Sequence, residues 1–140
     1  MKTLRFTMLA LVALLFVAGA KAQSTNVSAN IPFDFVVGKQ VMSAGKYMVS
    51  SLSNNHSLSI RNTDQSESRL LLAGVCEKLN PAQKTVLVFH RVGDQYFLSE
   101  IWVEGNTRGV SIPRSPIETQ MAMNHQAASQ DVIVAALTSH

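Results

Sequence analysis

The chain has 140 residues, 46% of them hydrophobic, with 12 Lys and Arg against 9 Asp and Glu. Three of the basic residues, Lys2, Arg5 and Lys21, precede Ala22, so the rest of the chain carries equal numbers of each charge. Binding of nucleic acid requires a basic surface that meets the phosphates. The neutral balance and the lack of a dense basic run exclude that class, and we predict no nucleic-acid partner.

Residues 1–22 have the pattern of a secretory signal peptide. A positively charged start is followed by an apolar stretch that is too short to span a membrane, and Ala20-Lys21-Ala22 supplies the small residues of a cleavage site. We predict cleavage between Ala22 and Gln23. Residues 23–140 then form a single exported domain, periplasmic or extracellular, with no transmembrane span after cleavage.

The stretch from Lys84 to Gly105 predicts a β-hairpin. Two runs rich in β-branched and aromatic residues flank Gly93-Asp94, and a glycine at the first central position fits a type II′ turn because it adopts positive φ without strain. Both faces of this hairpin are apolar, so we expect other elements to pack on each face. A uniform register pairs Val92 with Gln95, Arg91 with Tyr96, His90 with Phe97, Phe89 with Leu98 and Val88 with Ser99.

Short alternating segments separated by turn residues fill the chain from residue 23 to residue 112. Pro32 cannot donate a ladder hydrogen bond, so the first strand lies at an edge or bends there. Turn signals that recur every ~8–12 residues are typical of all-β folds. We predict a mainly β single domain, either an antiparallel β-sandwich or a barrel-like sheet, with a C-terminal α-helix.

The C-terminal part predicts a helix and a final strand. Ser115 is a candidate N-cap, Pro116 suits the first helical position and Glu118 completes a capping box, which predicts a helix over residues 116–127. An apolar stripe runs along it through Ile117, Met121, His125 and Ala128. Residues 131–137 are rich in β-branched residues and predict a last strand.

Polar side chains concentrated in the apolar hairpin are the candidate ligand-binding residues, namely His90, Arg91, Asp94 and Tyr96. Arg91 and Tyr96 are expected to stack near the turn. His90 is either a structural histidine bonded to a neighbouring carbonyl or a ligand-binding or catalytic group, with Asp94 or Glu100 as acid or base. No second His or Cys stands at a metal-binding spacing, so we predict no metal and no cofactor.

The sequence contains no Gly-x-Ser-x-Gly, phosphate-loop or dinucleotide motif, so no catalytic residue is assigned and a non-enzymatic role is favoured. Cys76 is the single cysteine, which excludes an internal disulfide. It is interpreted as a buried small residue, with an intermolecular disulfide or a reactive thiol as alternatives.

Three functional hypotheses remain. The first is an exported β-domain that binds a ligand or partner or serves the cell envelope, with a pocket between the hairpin and the C-terminal helix as the natural site. The second is a hydrolase or metal-dependent enzyme that uses hairpin residues. The third is a self-associating surface protein that pairs through Cys76 and the strand-forming tail at residues 132–137.

Three motifs together resemble a group of small exported proteins found chiefly in acidobacteria. They are Ile31-Pro-Phe-Asp-Phe-Val-Val-Gly38, Ser43-Ala-Gly-Lys-Tyr47, and Val88-Phe-His-Arg-Val-Gly-Asp-Gln-Tyr-Phe-Leu-Ser-Glu-Ile-Trp102. The resemblance implies export and a shared fold, and it implies no activity. Members of the group usually have proline where this chain has Ser43, a difference expected to cost some rigidity of the turn and little else.

Overall fold

The computed structural model describes residues 26–52, 56–64, 66–124 and 130–139. The predicted signal peptide and its cleavage site lie outside these residues. The described part contains eleven strands and one helix. The strands are β1 (Asn26–Ile31), β2 (Phe35–Val37), β3 (Gln40–Met42), β4 (Gly45–Leu52), β5 (Ser57–Asn62), β6 (Ser68–Leu72), β7 (Gly74–Glu77), β8 (Val86–Val92), β9 (Gln95–Trp102), β10 (Arg108–Ser111) and β11 (Gln130–Ser139), and the helix is α1 (Pro116–Asn124).

The strands form one curled sheet, which confirms the mainly β prediction in its barrel-like form. Hydrogen-bonded neighbours run β9-β8-β11-β1-β4-β5-β6, while β7 pairs with β10 and β10 pairs with β9. Only Ala73 separates β6 from β7 along the chain. From β7 the pairing continues through β10 and returns to β9. The pairs are antiparallel except that β2 meets β9 in parallel at Val36 and Phe97, so the sheet is mixed.

The inner face of this sheet holds the main core. Alternation along β1, β4 and β5 turns every second side chain inward, as the period of a strand requires. Aromatic rings fill the end of the interior near the hairpin turn: Phe33 stacks on Tyr96 with centroids 3.9 Å apart and meets Phe89 edge to face at 5.1 Å. Phe35 continues the cluster towards Tyr47. Stacked and edge-to-face rings therefore fill this end of the interior, which we call the aromatic end.

The central hairpin forms as predicted around its turn. Gly93 has φ of 61°, and Asp94 is not among the described residues with positive φ. A type II′ turn requires this combination, because of its two central residues only the first has positive φ. The pairs from Val92 and Gln95 to Phe89 and Leu98 follow the predicted register. The expectation that both faces are covered is also confirmed, because the inner face packs in the core and α1 covers part of the outer face.

The predicted pairing of Val88 with Ser99 is wrong. A β-bulge leaves Ser99 as an extra residue, so that Val88 pairs with Glu100. The bulge exchanges the faces of the residues that follow it. Ile101 joins the inner core and Trp102 belongs to the outer side, whereas uninterrupted alternation along β9 would place Trp102 on the same face as Leu98.

Helix α1 begins where the capping signals place it. Ser115 Oγ accepts a hydrogen bond from the backbone N–H of Glu118 at 3.1 Å, so Ser115 is the N-cap. The described helix ends at Asn124, and the predicted end at residue 127, like His125 and Ala128 of the apolar stripe, lies outside the described residues. Met121 packs on Val36, Val92 and Phe97 of the outer sheet face.

The final strand is confirmed and lies in the middle of the sheet. β11 pairs with β1 through Val27 and Thr138 and with β8 through Ile133 and Val88. Both of its edges are therefore occupied within the chain. The tail segment that the sequence offered for pairing between molecules is not an open edge in this fold.

The turn before β4 is held by a glutamate that is distant in the sequence. Glu67 accepts hydrogen bonds from the backbone N–H and the hydroxyl of Ser43, both at 2.9 Å, and from the hydroxyl of Tyr47 at 2.8 Å. A proline at position 43 has no N–H to donate. Ser43 thus provides two contacts that the more rigid residue lacks.

Candidate ligand site

A cavity opens at the end of the interior opposite the aromatic cluster. It has a volume of about 250 Å³, and aliphatic side chains, five of them valines, form most of its wall. We call it the valine cavity. Its lining residues are Val27, Val49, Ser51, Leu58, Val75, Ile101, Val103, Asn106, Arg108, Gly109 and Val110.

The cavity exists because this end of the sheet carries small side chains. Val49 and Leu58 form a floor that is 2% and 1% exposed. The opposite wall comes from β7 and β10, two strands of four residues each that contribute Val75, Gly109 and Val110. Valines leave open the space that aromatic rings occupy at the other end.

The rim of the valine cavity is polar. Arg108 Nε donates to Glu77 Oε1 at 2.8 Å in a directly opposed pair of β10 and β7. Both side chains are exposed, at 77% and 63%. Ser51 and Asn106 add hydrogen-bonding groups to the lining. An apolar interior with a few polar groups at the mouth is the usual construction of a small-molecule site, and mouths of barrels are one of its usual places.

A smaller recess of about 150 Å³ adjoins the valine cavity and shares Ser51, Val75 and Val110 with it. His56 and Ser57 lie on its far side. His56 has φ of 51°, a left-handed conformation that is uncommon for a residue other than glycine. The two spaces together make one mouth with a polar margin.

The candidate residues predicted in the hairpin do not meet at one point. His90 lies on the outer face of the hairpin, whereas Tyr96 packs against the inner core and its ring centroid is 5.7 Å from Arg91 Cζ. Asp94 is exposed in the turn. The four residues therefore divide between the outer face, the aromatic end and the turn.

His90 is bonded to residues that the hairpin prediction did not include. Its Nδ1 lies 2.9 Å from Glu118 Oε1 on α1, and its Nε2 lies 3.0 Å from Ser99 Oγ. Asp131 Oδ1 on β11 is 3.6 Å from the same Nε2. Glu100, expected as an acid or base, instead accepts a hydrogen bond from Trp102 Nε1 at 2.7 Å.

The space between the hairpin and α1, where the sequence placed a pocket, is packed in the described structure. Val36, Val92 and Phe97 are buried there under Met121, and Glu118 is 4% exposed beside His90. Arg114 Nε adds a longer contact to Glu118 at 3.8 Å. This region joins the helix to the sheet, and the valine cavity lies elsewhere.

Sequence reasoning missed the residues that line the valine cavity. Arg108 and Val110 lie in a short alternating segment that predicted a strand. Nothing in that segment indicated that its side chains line a cavity. The lining comes from six strands and the loop after β9, so no single motif carries it. The only local signal was the small size of the side chains at these positions.

No group of three or more His, Cys, Asp or Glu among the described residues is arranged to hold a metal ion. Within the same residues, no helix is long and apolar enough to cross a membrane. No protein-family model matches the chain, and searches of curated proteins and of solved structures return no match. The acidobacterial resemblance stays a prediction.

Proposed function

We propose that this chain is an exported protein that binds a small apolar molecule in the valine cavity without chemically changing it. The observation that carries the proposal is the cavity itself, an open space of about 250 Å³ whose floor consists of core side chains. Export rests on the pattern of residues 1–22. A periplasmic or extracellular carrier or sensor of apolar molecules is the role that joins these two features.

The size of the cavity limits the ligand. Its volume of about 250 Å³ lies slightly below the usual range for ligand pockets, ~300–1,000 Å³. A dry apolar cavity of ~150 Å³ is enough for a benzene ring. A single ring or a short alkyl chain therefore fits the valine cavity, whereas larger ligands extend into the adjoining recess near His56.

Methyl-detected NMR titration with hexan-1-ol tests this function, because the probe is short, apolar and uncharged. We expect the methyl signals of Val49, Leu58 and Val110 to shift while those of Val36, in the outer cluster under α1, stay in place. Burial of a six-carbon chain at ~0.8 kcal/mol per methylene supports millimolar binding or better. Shifts that spread evenly over the protein, or no shifts at all, would contradict the proposal.

A cavity-filling variant gives the matched test. Val110→Phe places a ring in the mouth, and we expect it to abolish the binding of hexan-1-ol. Val41→Phe is the control, because Val41 is 65% exposed on β3 and is not a lining residue. If Val110→Phe proves unstable, Val75→Phe serves instead, since Val75 is 57% exposed and tolerates a larger side chain. Binding retained in the filled variant would place the ligand elsewhere.

Native mass spectrometry of protein purified from the exported fraction of its host identifies the natural ligand. We expect a mass above that of residues 23–140 by the mass of one small organic molecule. The bare mass after gentle purification would exclude tight binding and leave the NMR titration to decide on weak binding. The same spectrum reports the cleavage site between Ala22 and Gln23 and reveals a covalent dimer.

One observation favours a second candidate function, a hydrolase. Ser99, His90 and Glu118 form a chain of contacts at 3.0 and 2.9 Å, with the order of nucleophile, base and carboxylate found in acyl-transfer enzymes. However, Ser99 is 7% exposed, and Asp131 lies beside the Nε2 that a base would use. We therefore rank this function below ligand binding.

A fluorophosphonate probe decides the second candidate, because it labels activated serines covalently. Labelling of the native protein that disappears in Ser99→Ala would establish the nucleophile. Ser111→Ala is a control for other serines, since Ser111 lies on β10, which β9 separates from the strand of His90. Absence of labelling in the native protein would eliminate the hydrolase.

A further inference from the structure

The mouth of the valine cavity carries a cation whose placement is fixed by the strand. Arg108 and Val110 are two residues apart on β10, so their side chains point to the same side of the sheet. Val110 lines the cavity, and so does Arg108, whose side chain is largely exposed. The partner Glu77 is not among the lining residues. Arg108 is therefore the member of the ion pair that lines the cavity.

The guanidinium of Arg108 has donor capacity left over. An arginine side chain carries five N–H donors, and the ion pair with Glu77 is made through Nε. The hydrogen bonds found between described side chains assign no acceptor to its two terminal nitrogens. Those nitrogens form the planar fork that binds a carboxylate through two parallel hydrogen bonds.

Arg108 contributes the charged group of the cavity lining. Lys78, the next residue after Glu77, lies with Nζ 3.9 Å from the centroid of the Trp102 ring, so it is engaged on the outer side of the sheet. Ser51 and Asn106 supply uncharged hydrogen-bonding groups to the same mouth. Arg108 is thus the charged side chain of the lining, and its sign selects the head group of a ligand.

We propose that the natural ligand is a short amphipathic monocarboxylate, with an alkyl or aryl tail in the valine cavity and its carboxylate on the terminal nitrogens of Arg108. This inference rests on the proposed ligand-binding function and adds the charge of the ligand. The exposed ion pair with Glu77 contributes little to stability. It uses Nε of Arg108, so the two terminal nitrogens are left for the carboxylate of the ligand.

Three probes with the same tail and different heads test the charge. Hexanoate, hexan-1-ol and hexylamine are titrated separately against the full exported chain, with the methyl signals of Val49 and Leu58 as the readout. We expect hexanoate to bind about tenfold more tightly than hexan-1-ol, which corresponds to ~1.4 kcal/mol. Hexylamine should bind most weakly. The preference for hexanoate should shrink with added salt, because the pair is exposed to solvent.

Substitutions at the rim assign the preference to one residue. Arg108→Gln should reduce the binding of hexanoate to the level of hexan-1-ol and leave the alcohol unchanged. Glu77→Gln should strengthen hexanoate binding, because it removes the competing carboxylate. Arg61→Gln is the control, since Arg61 is an exposed arginine on β5 that is not a lining residue. It should leave all three affinities unchanged.

The outcomes separate this inference from the function on which it rests. Equal binding of hexanoate and hexan-1-ol at the cavity, or a preference for hexanoate that survives Arg108→Gln, would overturn the carboxylate proposal and leave apolar binding intact. If none of the probes shifts the cavity methyl signals, both the proposed function and the charge selectivity fail.

Discussion

Gly109 on β10 lies flat against the indole of Trp102. A Cβ at Gly109 would stand 2.8 Å from Trp102 Cε3 and 2.8 Å from the carbonyl oxygen of Ile101. The carbonyl oxygen of Ile101 belongs to the backbone, so it cannot move away by a change of side-chain rotamer. The close approach of β10 to β9, and with it the wall of the valine cavity, depends on the absence of a side chain at this position.

Gly109→Ala should therefore destabilise the protein by ~1–3 kcal/mol, the cost of forcing an extra methyl group into a packed site. Urea unfolding monitored by Trp102 fluorescence measures the change. Gly74→Ala, on the neighbouring β7, is the control, because its Cβ would meet its nearest atoms at 3.7 and 3.9 Å, which is ordinary contact. Equal effects of the two substitutions would contradict the packing argument.

The carboxylate of Glu67 makes stability depend on acid pH. The backbone N–H of Ser43, followed by the hydroxyls of Tyr47 and Ser43, lowers the pKa of Glu67 below its usual value. A lowered pKa in the folded state adds stability above the usual pKa of glutamate, ~4.3, and this stability is lost as the pH falls through the folded pKa. The hydrogen bonds of the Glu67 carboxylate contribute about 1 kcal/mol or less to the free energy of unfolding, because water reaches these groups.

Glu67→Gln tests this linkage. We expect the variant to be less stable than the parent at pH 7, and the two stabilities to converge as the pH is lowered below ~4. Denaturant unfolding at a series of pH values gives both curves. Asp34→Asn, whose parent accepts a hydrogen bond from the backbone N–H of Ala44, is the comparison at the same turn. A constant difference between Glu67→Gln and the parent over the whole range would contradict the assignment.

The contact between His90 and Glu118 should hold α1 on the sheet. Glu118 is buried and its carboxylate contacts His90 Nδ1 at 2.9 Å, so Glu118→Ala removes a partner from a polar group that is mostly covered. We expect a loss of ~1–3 kcal/mol and faster hydrogen exchange in α1. Asp131→Ala should change stability by less than ~0.5 kcal/mol, because that carboxylate is 66% exposed and 3.6 Å from the ring. Slow exchange in α1 of Glu118→Ala would show that Met121 packing alone retains the helix.

Cys76 should react slowly with thiol reagents. Burial raises the pKa of its thiol, and the negative charge of Glu100 raises the pKa further. Since the thiolate is the reactive form, the rate of modification by a disulfide reagent at pH 8 should be well below that of the urea-unfolded chain. Glu100→Gln should increase the rate. A rate equal to that of the unfolded chain would instead support the reactive-thiol interpretation.

Local features of the fold were readable from the sequence. The hairpin turn at Gly93, the N-cap at Ser115 and the strand after residue 130 each follow from a few neighbouring residues with a defined conformational preference. The register failed at Ser99 because a bulge inserts one residue without a marker in the sequence. Side-chain periodicity could not detect it, since residues on either side still read as strand.

The candidate site was harder to predict for a geometric reason. His90 and Glu118 are 28 residues apart, and the capping signal explained Glu118 without reference to the hairpin. The valine cavity is assembled from strands spread over most of the chain, and it arises from how the sheet curls. The pairing of β7 with β10 places Arg108 at the cavity. Composition and residue spacing therefore could not predict its position.

The position of β11 imposes an order of events on the biogenesis of this protein. Residues 130–139 are inserted between β1 and β8, so the first strand of the described chain lacks one of its two neighbours until the last one arrives. A chain delivered from its N-terminus cannot complete the sheet during synthesis or passage through a narrow channel. Long-range pairing of this kind forms late. The sheet thus stays incomplete until the C-terminal segment is free to pair, and the export proposed above requires a chain that has not yet completed its fold.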